Sequence, residues 1–374
     1  MSKKQYTSLG LMSGTSGDGV DASLIKSDGE TEYNVILNKY YEYSEEIYQS
    51  IHSIKEKINT LKDLEKFSSD IKNIERKITM FHVEVVSKFS KENKIDLVGF
   101  HGQTIYHNPD DKISVQLGDG ILLSKLTNKN IVYNFRENDI KNGGEGAPLT
   151  PIFHQLVLKQ NKINIPTCIL NIGGISNITI VENYLKYNFK SRDIGPGNCL
   201  IDSWVRNNSN KKFDRDGKFA SIGKTNEIIL EQAQELYLNR SNKKNLSLDV
   251  NDFDVSFARG LSLEDGAATL TDFTARIISS ALLSSLSKIK NNISTVLICG
   301  GGRKNKVLLN KINEHNLKNI TIQPIDDYGV DGDFVESQAF AFLAIRNLLN
   351  KPISFPDTTG CQSPTNGGIL IEVK

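Results

Sequence analysis

The 374 residues carry 45 Lys and Arg against 44 Asp and Glu, a formal net charge of +1, with 38% apolar and 24% charged residues. That balance describes a soluble globular chain with material for two domains or one large α/β unit, and it excludes a global basic field for nucleic acid. No apolar run approaches the roughly 20 residues of a membrane span, and Met1–Tyr6 has no apolar stretch behind its two lysines, so neither a membrane anchor nor a signal peptide is expected. Cys168, Cys199, Cys299 and Cys361 are scattered with no CxxC pair. This spacing predicts reduced thiols in a cytoplasmic protein, with no zinc site or disulfide framework.

The first element is a hairpin. Apolar residues Leu9–Met12 lead into Ser13-Gly14-Thr15-Ser16-Gly17-Asp18-Gly19, and Val20-Asp21-Ala22-Ser23-Leu24-Ile25 leads out. Gly14, Gly17 and Gly19 let successive N–H groups turn towards an anion, while Thr15 and Ser16 add hydroxyls and Asp18 offers a carboxylate to a metal ion or to the turn. The other reading is a tight hairpin built on Asx and Ser/Thr turns. Tyr33–Leu37 predicts a third strand. Ile51, Ile54, Ile58, Leu61 and Leu64, then Ile71, Ile74, Ile78 and Phe81, recur at helical spacing and predict amphipathic helices on a sheet. The charges between them read as a solvated face.

Strands are predicted at Asp96–Thr104, Ser114–Leu117 and Ile131–Arg136. Strands alternating with helices imply an α/β fold with a mostly parallel sheet. His101, at the end of its strand, reads either as a ligand or base or as a hydrogen-bonded structural residue. The run Lys141-Asn142-Gly143-Gly144-Glu145-Gly146-Ala147-Pro148 reads as a linker or as a loop shaped round a ligand. Arg136, Asp139 and Glu145 cluster there and favour the ligand loop.

The opening pattern then recurs over Thr167–Val181 as an apolar strand, a Gly/Ser/Asn tip that includes Gly173 and Gly174, and a second apolar strand, which suggests a duplicated architecture. Asp193-Ile194-Gly195-Pro196-Gly197-Asn198 places an acid before a turn that enters a helix, with Asn198 or a neighbour as an alternative N-cap. A helix from Leu263 feeds the strand Thr295–Cys299, which ends in Gly300, Gly301 and Gly302 ahead of Asn305, so the backbone there can approach a flat ligand or a phosphate. Neither GxGxxG nor the P-loop pattern is present. Glu336 begins an apolar helix, as a dipole partner or a cleft acid.

These motifs, in this order from Leu9 to Gly368, resemble the anhydro-N-acetylmuramic acid kinases of the sugar kinase, Hsp70 and actin superfamily. The residues that carry the resemblance are Met12–Asp21, Gly102-Gln103-Thr104, Gly143–Leu149, Asn171–Asn177, Asp193–Asn198 and Cys299–Asn305. Ile194 stands where the family often has Thr.

The resemblance implies two actin-like, ribonuclease-H-like α/β domains facing across an ATP-binding cleft. They are expected at residues 1–134 plus 348–374 and at 135–347. It also implies ATP and Mg²⁺ as cofactors, 1,6-anhydro-N-acetylmuramic acid as substrate, and a homodimer. Asp193 would be the general base on a water, with Glu336 a second acid. Gly14, Thr15, Ser16, Gly17, Asp18, Gly19, Val20, Asp21, Gly173, Gly174, Gly300, Gly301, Gly302 and Asn305 would hold the nucleotide, with Asp18 near Mg²⁺. Arg136, Gly143, Gly146 and Asn198 would hold the sugar. The rival expectations are another sugar or small-acid kinase of the superfamily, which fold alone does not exclude, and a non-catalytic ATP switch. The chain lacks the extra substrate domain that such a switch carries.

Overall fold

The two halves of the opening pattern pair as predicted. In the computed structural model, which describes residues 3–240, 247–289, 293–315 and 320–373, β1 (Tyr6–Ser13) lies antiparallel to β2 (Gly19–Ser27). β3 (Tyr33–Glu42) continues the meander. Helix α1 (Glu45–Lys57) starts at Ser44, whose side chain accepts from Ile47 N–H, and buries Ile47, Tyr48, Ile51 and Ile54 at spacings of one, three and three. α2 (Leu61–Lys66) and α3 (Ser68–Ser90) follow. Then come β4 (Leu97–Asn108), β5 (Ile113–Leu117), α4 (Gly120–Thr127), β6 (Asn130–Tyr133), α5 (Glu137–Lys141) and α6 (Pro151–Gln160).

The next stretch carries β7 (Thr167–Ile172), β8 (Ile175–Val181), β9 (Lys190–Pro196), α7 (Cys199–Asn208), α8 (Lys218–Ile222) and α9 (Glu227–Arg240). α10 (Leu263–Leu286), β10 (Thr295–Cys299), α11 (Lys306–Glu314) and β11 (Thr321–Pro324) complete it. The chain closes with α12 (Val335–Leu348), α13 (Pro356–Thr359) and β12 (Ile369–Ile371). Among the described residues, no helix is long and apolar enough to cross a membrane.

The contacts divide the chain into unit 1, Met1–Ile163 with Asp333–Lys374, and unit 2, Asn164–Gly332. The boundaries expected at 134/135 and 347/348 therefore both fall inside unit 1. Two packings explain the difference. Helix α6 stays with unit 1 against α12, and α12 itself lies on β1, β2 and β4.

In unit 1 the sheet runs β12-β6-β4-β1-β2-β3, with β5 hydrogen-bonded to β4. β4 is parallel to β1 and β6 parallel to β4. β1 is covered on both faces. Leu9 and Leu11 join Ile51, Ile54, Ile78 and Phe89 in one apolar cluster, while Gly10, one residue out of phase, faces α12. A Cβ on Gly10 would sit 1.9 Å from the Ser337 carbonyl oxygen, and one on Gly99 would sit 2.3 Å from that of Phe340. Helix α12 therefore rests on the strand backbone itself.

Unit 2 repeats the plan. Its sheet runs β11-β10-β7-β8-β9, with β7, β8 and β9 antiparallel and β10 and β11 parallel to β7. With β5 and β12 of unit 1 set aside and the remaining five strands of each sheet numbered in chain order, both sheets read 3-2-1-4-5 from the third strand of the meander: β3-β2-β1-β4-β6 and β9-β8-β7-β10-β11. This is the ribonuclease-H-like arrangement, and it bears out the duplication read from the two hairpins. Leu170 and Ile172 pack against Ile278 and Leu282 of α10 and Leu308 of α11. A second cluster places Trp204 and Leu230 against Leu270 and Phe273 on the other side of α10.

Candidate functional site

At the tip of the first hairpin, Gly17 N–H donates to the Gly14 carbonyl at 3.2 Å. Gly17 has φ +64°, and a Cβ there would already press Ile51 at 3.0 Å. Three donors grip the tip from behind. Gln103 Nε2 reaches the Gly14 carbonyl at 2.9 Å, Lys55 Nζ the Thr15 carbonyl at 2.8 Å, and His52 Nε2 the Ser16 carbonyl at 3.0 Å. With these carbonyls engaged, the peptide planes of the tip are set. A Cβ on Gly14 would meet nothing nearer than Ser16 Oγ at 3.9 Å, so the space in front of it is open.

Ser16 Oγ donates to Asp18 Oδ1 at 2.6 Å, which orients a half-buried carboxylate at the hairpin's exit. Among the described residues, no three His, Cys, Asp or Glu side chains gather as a metal cage. Val20 is different from its neighbours. It is fully buried in the apolar cluster of unit 1, so its side chain is core and not the expected nucleotide contact. Gly19 and Asp21 are strand residues of β2, paired with Glu42 and Tyr40 of β3.

A second cluster of unit 1 forms round Arg136, at the start of α5. Its Nη1 donates to the Gly146 carbonyl at 2.7 Å and its Nη2 to His101 Nε2 at 2.9 Å. Gly143 and Gly146 both have φ near +80°. The loop they shape is held by fully buried Asp139, whose Oδ2 accepts from Gly146 N–H and whose Oδ1 accepts from Thr359 Oγ1, each at 2.7 Å. Glu145 N–H donates to the Thr359 carbonyl and Gln362 N–H to that of Asn142. The loop is therefore knitted to the chain's C-terminal turn and is not an inter-domain linker. Burial first, and then the Arg136 charge, hold the His101 imidazole well below its ordinary 6.5 and bring His107 down to about 3.

Glu336 lies half-buried in the first turn of α12, where a carboxylate complements the helix dipole. That turn is pinned to the sheet by Ser337 Oγ and Ser23 Oγ at 2.7 Å and by Gln338 Nε2 on Asn38 Oδ1 at 3.4 Å.

In unit 2, the Gly173-Gly174 tip receives the Gly195–Asn198 turn. Gly197 N–H and Cys199 N–H donate to the Gly174 carbonyl at 2.8 and 3.2 Å, and Asn198 N–H donates to the Gly173 carbonyl at 2.8 Å. Asn198 Nδ2 adds a fourth bond to the Gly173 carbonyl at 3.1 Å. A Cβ on Gly197 would lie 2.2 Å from the Gly173 oxygen, so only glycine allows this contact. Asn198 precedes α7 without capping it through its side chain. Asp193 lies in β9, half-buried, with Oδ2 accepting from Leu248 N–H at 2.8 Å. Its cross-strand partner Asn177 keeps a buried Oδ1 with no hydrogen-bond partner among the described residues, a place that suits a donor from a water or a ligand.

After β10, Gly300 has φ +80° and its N–H donates to the Gly332 carbonyl at 2.9 Å. Arg303 makes a two-pronged pair with Asp326, at 2.8 and 3.0 Å, and also reaches the Gly300 carbonyl at 3.1 Å. A Cβ on Gly301 would meet nothing within 4 Å, whereas one on Gly302 would strike Ile172 at 2.2 Å. Only Gly301 thus presents open backbone. Asn305 departs from expectation: it is buried, and its Oδ1 accepts from Leu308 N–H as the cap of α11.

Each unit thus gathers its own set of predicted residues. Unit 1 joins the Gly14–Asp18 tip, the Arg136 cluster and Glu336 to one sheet, and unit 2 joins Gly173, Gly174, Asp193, Asn198 and the Gly300–Gly302 turn to another. Lys55 and His52 grip the hairpin tip without having been singled out in the sequence. For Lys55 and His52 the missing signal is tertiary, since the helical stripe shows which face of α1 packs but not that its edge meets the hairpin.

The anhydro-N-acetylmuramic acid kinase family profile matches residues 6–372. A protein of Pelagibacter ubique (strain HTCC1062) named anhydro-N-acetylmuramic acid kinase is 55% identical over 372 residues, covering 99% of both chains. Proteins of the same name from Zymomonas mobilis subsp. mobilis and Agrobacterium fabrum are 37% and 34% identical, covering 96% and 98% of this chain and 98% of each relative. With both glycine hairpins and the Asp193–Asn198 turn folded inside that matched span, the chain belongs to the anhydro-N-acetylmuramic acid kinase family.

Proposed function

We propose that the protein converts 1,6-anhydro-N-acetylmuramic acid, ATP and water into N-acetylmuramic acid 6-phosphate and ADP, in the cytoplasm, as a step of peptidoglycan recycling. The observation that carries this reading is the family match over residues 6–372. The bonded turn that joins the Asp193 strand to the Gly173-Gly174 tip supports it.

Asp193 acts as general base. Its carboxylate accepts a proton from a water while the water oxygen bonds to C1 of the sugar. Leu248 N–H on Oδ2 orients the carboxylate for that transfer. As the C1–O6 bond breaks, the electron pair stays on O6, which attacks the γ-phosphorus, and the bond to the β-phosphate oxygen breaks to release ADP. Hydrolysis of the bridge therefore creates the phosphoryl acceptor. Glu336 orients the sugar or the water. Arg136 pairs with the lactyl carboxylate, for which a planar guanidinium is suited. Gly143 and Gly146 shape the loop beside it, and Asn198 contacts the sugar.

Phosphoryl transfer needs positioning and charge neutralisation more than covalent chemistry. In unit 1 the Gly14–Asp18 tip suits the β- and γ-phosphates; in unit 2 the Gly173-Gly174 tip suits a phosphate, and Gly301 offers backbone to an adenosine or α-phosphate. Asp18 would hold Mg²⁺, directly or through water, and the ion would supply neutralisation of phosphate charge. The test is ADP release from ATP with the anhydro sugar, with N-acetylmuramic acid and with N-acetylglucosamine. Turnover with the anhydro sugar alone is expected. Equal rates with the ring-opened sugars would overturn the coupled hydrolysis.

A further inference from the structure

The hydrogen bonds round Arg136 point past that residue to the one behind it. An arginine has only donors, so His101 Nε2, 2.9 Å from Nη2, must be the acceptor of that bond. The ring proton is then on Nδ1, where it donates to the Gly102 carbonyl at 2.7 Å. Phe340 of α12 packs on the ring, with centroids 4.5 Å apart, and the side chain is 4% exposed. Both ring nitrogens and one face are accounted for, and the tautomer follows from the partners.

We infer that His101 is a positioning residue: as a neutral acceptor it aims the Arg136 guanidinium and so sets the preference for a sugar that carries a carboxylate. Two contacts help define that aim, the Gly146 carbonyl on Nη1 and His101 on Nη2, and they approach different nitrogens of one rigid plane. A planar group held at two separated nitrogens cannot swing about its long stem, so its rigid fork is presented in one orientation. The strand that carries His101 also carries Gln103, bonded to the Gly14 carbonyl, so the acid-recognition cluster and the phosphate tip share one piece of β4. The charged and titratable groups facing His101 are Arg136 and His82, and both oppose a positive charge on its ring.

The inference rests on the proposed reading of Arg136 as the carboxylate partner. The decisive measurement is the ratio of kcat/KM for 1,6-anhydro-N-acetylmuramic acid to that for 1,6-anhydro-N-acetylglucosamine, which lacks the lactyl acid. His101→Phe keeps a ring against Phe340 and removes the acceptor. It is expected to lower the ratio roughly 10- to 100-fold, the range for losing a hydrogen bond to a charged group, while KM for ATP changes by less than about twofold. His101→Gln restores an acceptor and is expected to recover most of the ratio. Equal losses on both sugars, or His101→Gln behaving like His101→Phe, would show a merely structural role and overturn the proposal.

Two further outcomes separate this proposal from the reading beneath it. A wild-type enzyme indifferent to the lactyl acid, or inactive on both sugars, refutes the Arg136 reading and with it the selectivity role. The ¹⁵N shifts of the His101 ring then decide what remains: a neutral Nδ1–H tautomer through about pH 5.5 to 8 supports the positioning contact, and a protonated ring overturns it.

Discussion

Gly197→Ala tests the docking of the Gly195–Asn198 turn on the second hairpin. A Cβ at residue 197 would stand 2.2 Å from the Gly173 oxygen, where ordinary contact begins near 3.4 Å, so the two backbones must part by about 1 Å. The N–H bonds of residues 197, 198 and 199, now 2.8, 2.8 and 3.2 Å long, then lengthen beyond hydrogen-bonding range. At about 1 kcal/mol each, with some of the strain relieved by relaxation, the loss is roughly 2–4 kcal/mol. For a unit of this size that lowers Tm by roughly 5–15 °C, read by calorimetry or circular dichroism. Gly301→Ala is the matched control. Nothing lies within 4 Å of its Cβ, so Tm should stay put, while KM for ATP rises if the nucleotide lies against that backbone. A Gly197→Ala protein melting within about 2 °C of wild type would refute the reasoning, because the contact on which it rests would have proved dispensable.

Asp193→Asn keeps an acceptor for Leu248 N–H, so the fold should survive while ADP release with the anhydro sugar falls on the order of 10²- to 10⁴-fold; a near wild-type rate would remove Asp193 from the role of base. Lys55→Met deletes the charged donor on the Thr15 carbonyl and should raise KM for ATP roughly tenfold in steady-state assays, with no change expected if the tip does not hold phosphates. Asp272 offers a pH test in unit 2. Burial pushes its carboxyl up, but His315 at 2.6 Å and Lys311 and Arg276 at 3.3 Å outweigh that and hold it below the ordinary 3.8. A depressed carboxylate stabilises the fold above its unfolded value and loses that contribution as pH falls through 3.8 towards the folded value. Asp272→Asn should therefore lower Tm near neutral pH and converge on wild type as pH falls through 3.8 and below the folded value, and a gap that persisted in acid would contradict the assignment.

The two hairpins were legible because each repeats one pattern, an apolar run either side of a glycine-rich tip, and local pattern decides antiparallel neighbours; the mostly parallel sheet was not borne out, since antiparallel pairings outnumber parallel ones among the described residues. The Asp193–Asn198 turn was legible for the same reason. Boundaries were not. The Gly143–Pro148 run has linker composition, yet Asp139 and Thr359 bind it into unit 1 across some 220 residues of sequence, a separation no window spans. Val20 and Asn305 sit inside matching motifs and still face inward, one to the core and one to a helix end, because a motif fixes backbone path more tightly than side-chain direction. Lys55 shows the converse. Its place in a helical stripe looks like solvated surface, and its value comes from a hairpin 40 residues earlier.

The contact of α12 with Gly10 and Gly99 has a mechanical meaning. Side chains in a core can change rotamer and absorb a shift of half an ångström, but carbonyls lying directly on strand backbone have no such slack. Glu336 is the residue before Ser337, whose oxygen rests over Gly10, and Gly10 is four residues from the hairpin tip along the same strand. The distance between the acid and Gly14 is thus gauged by main chain alone, as in a calliper with no sprung joint. Whatever moves when the enzyme works, these two points should move together.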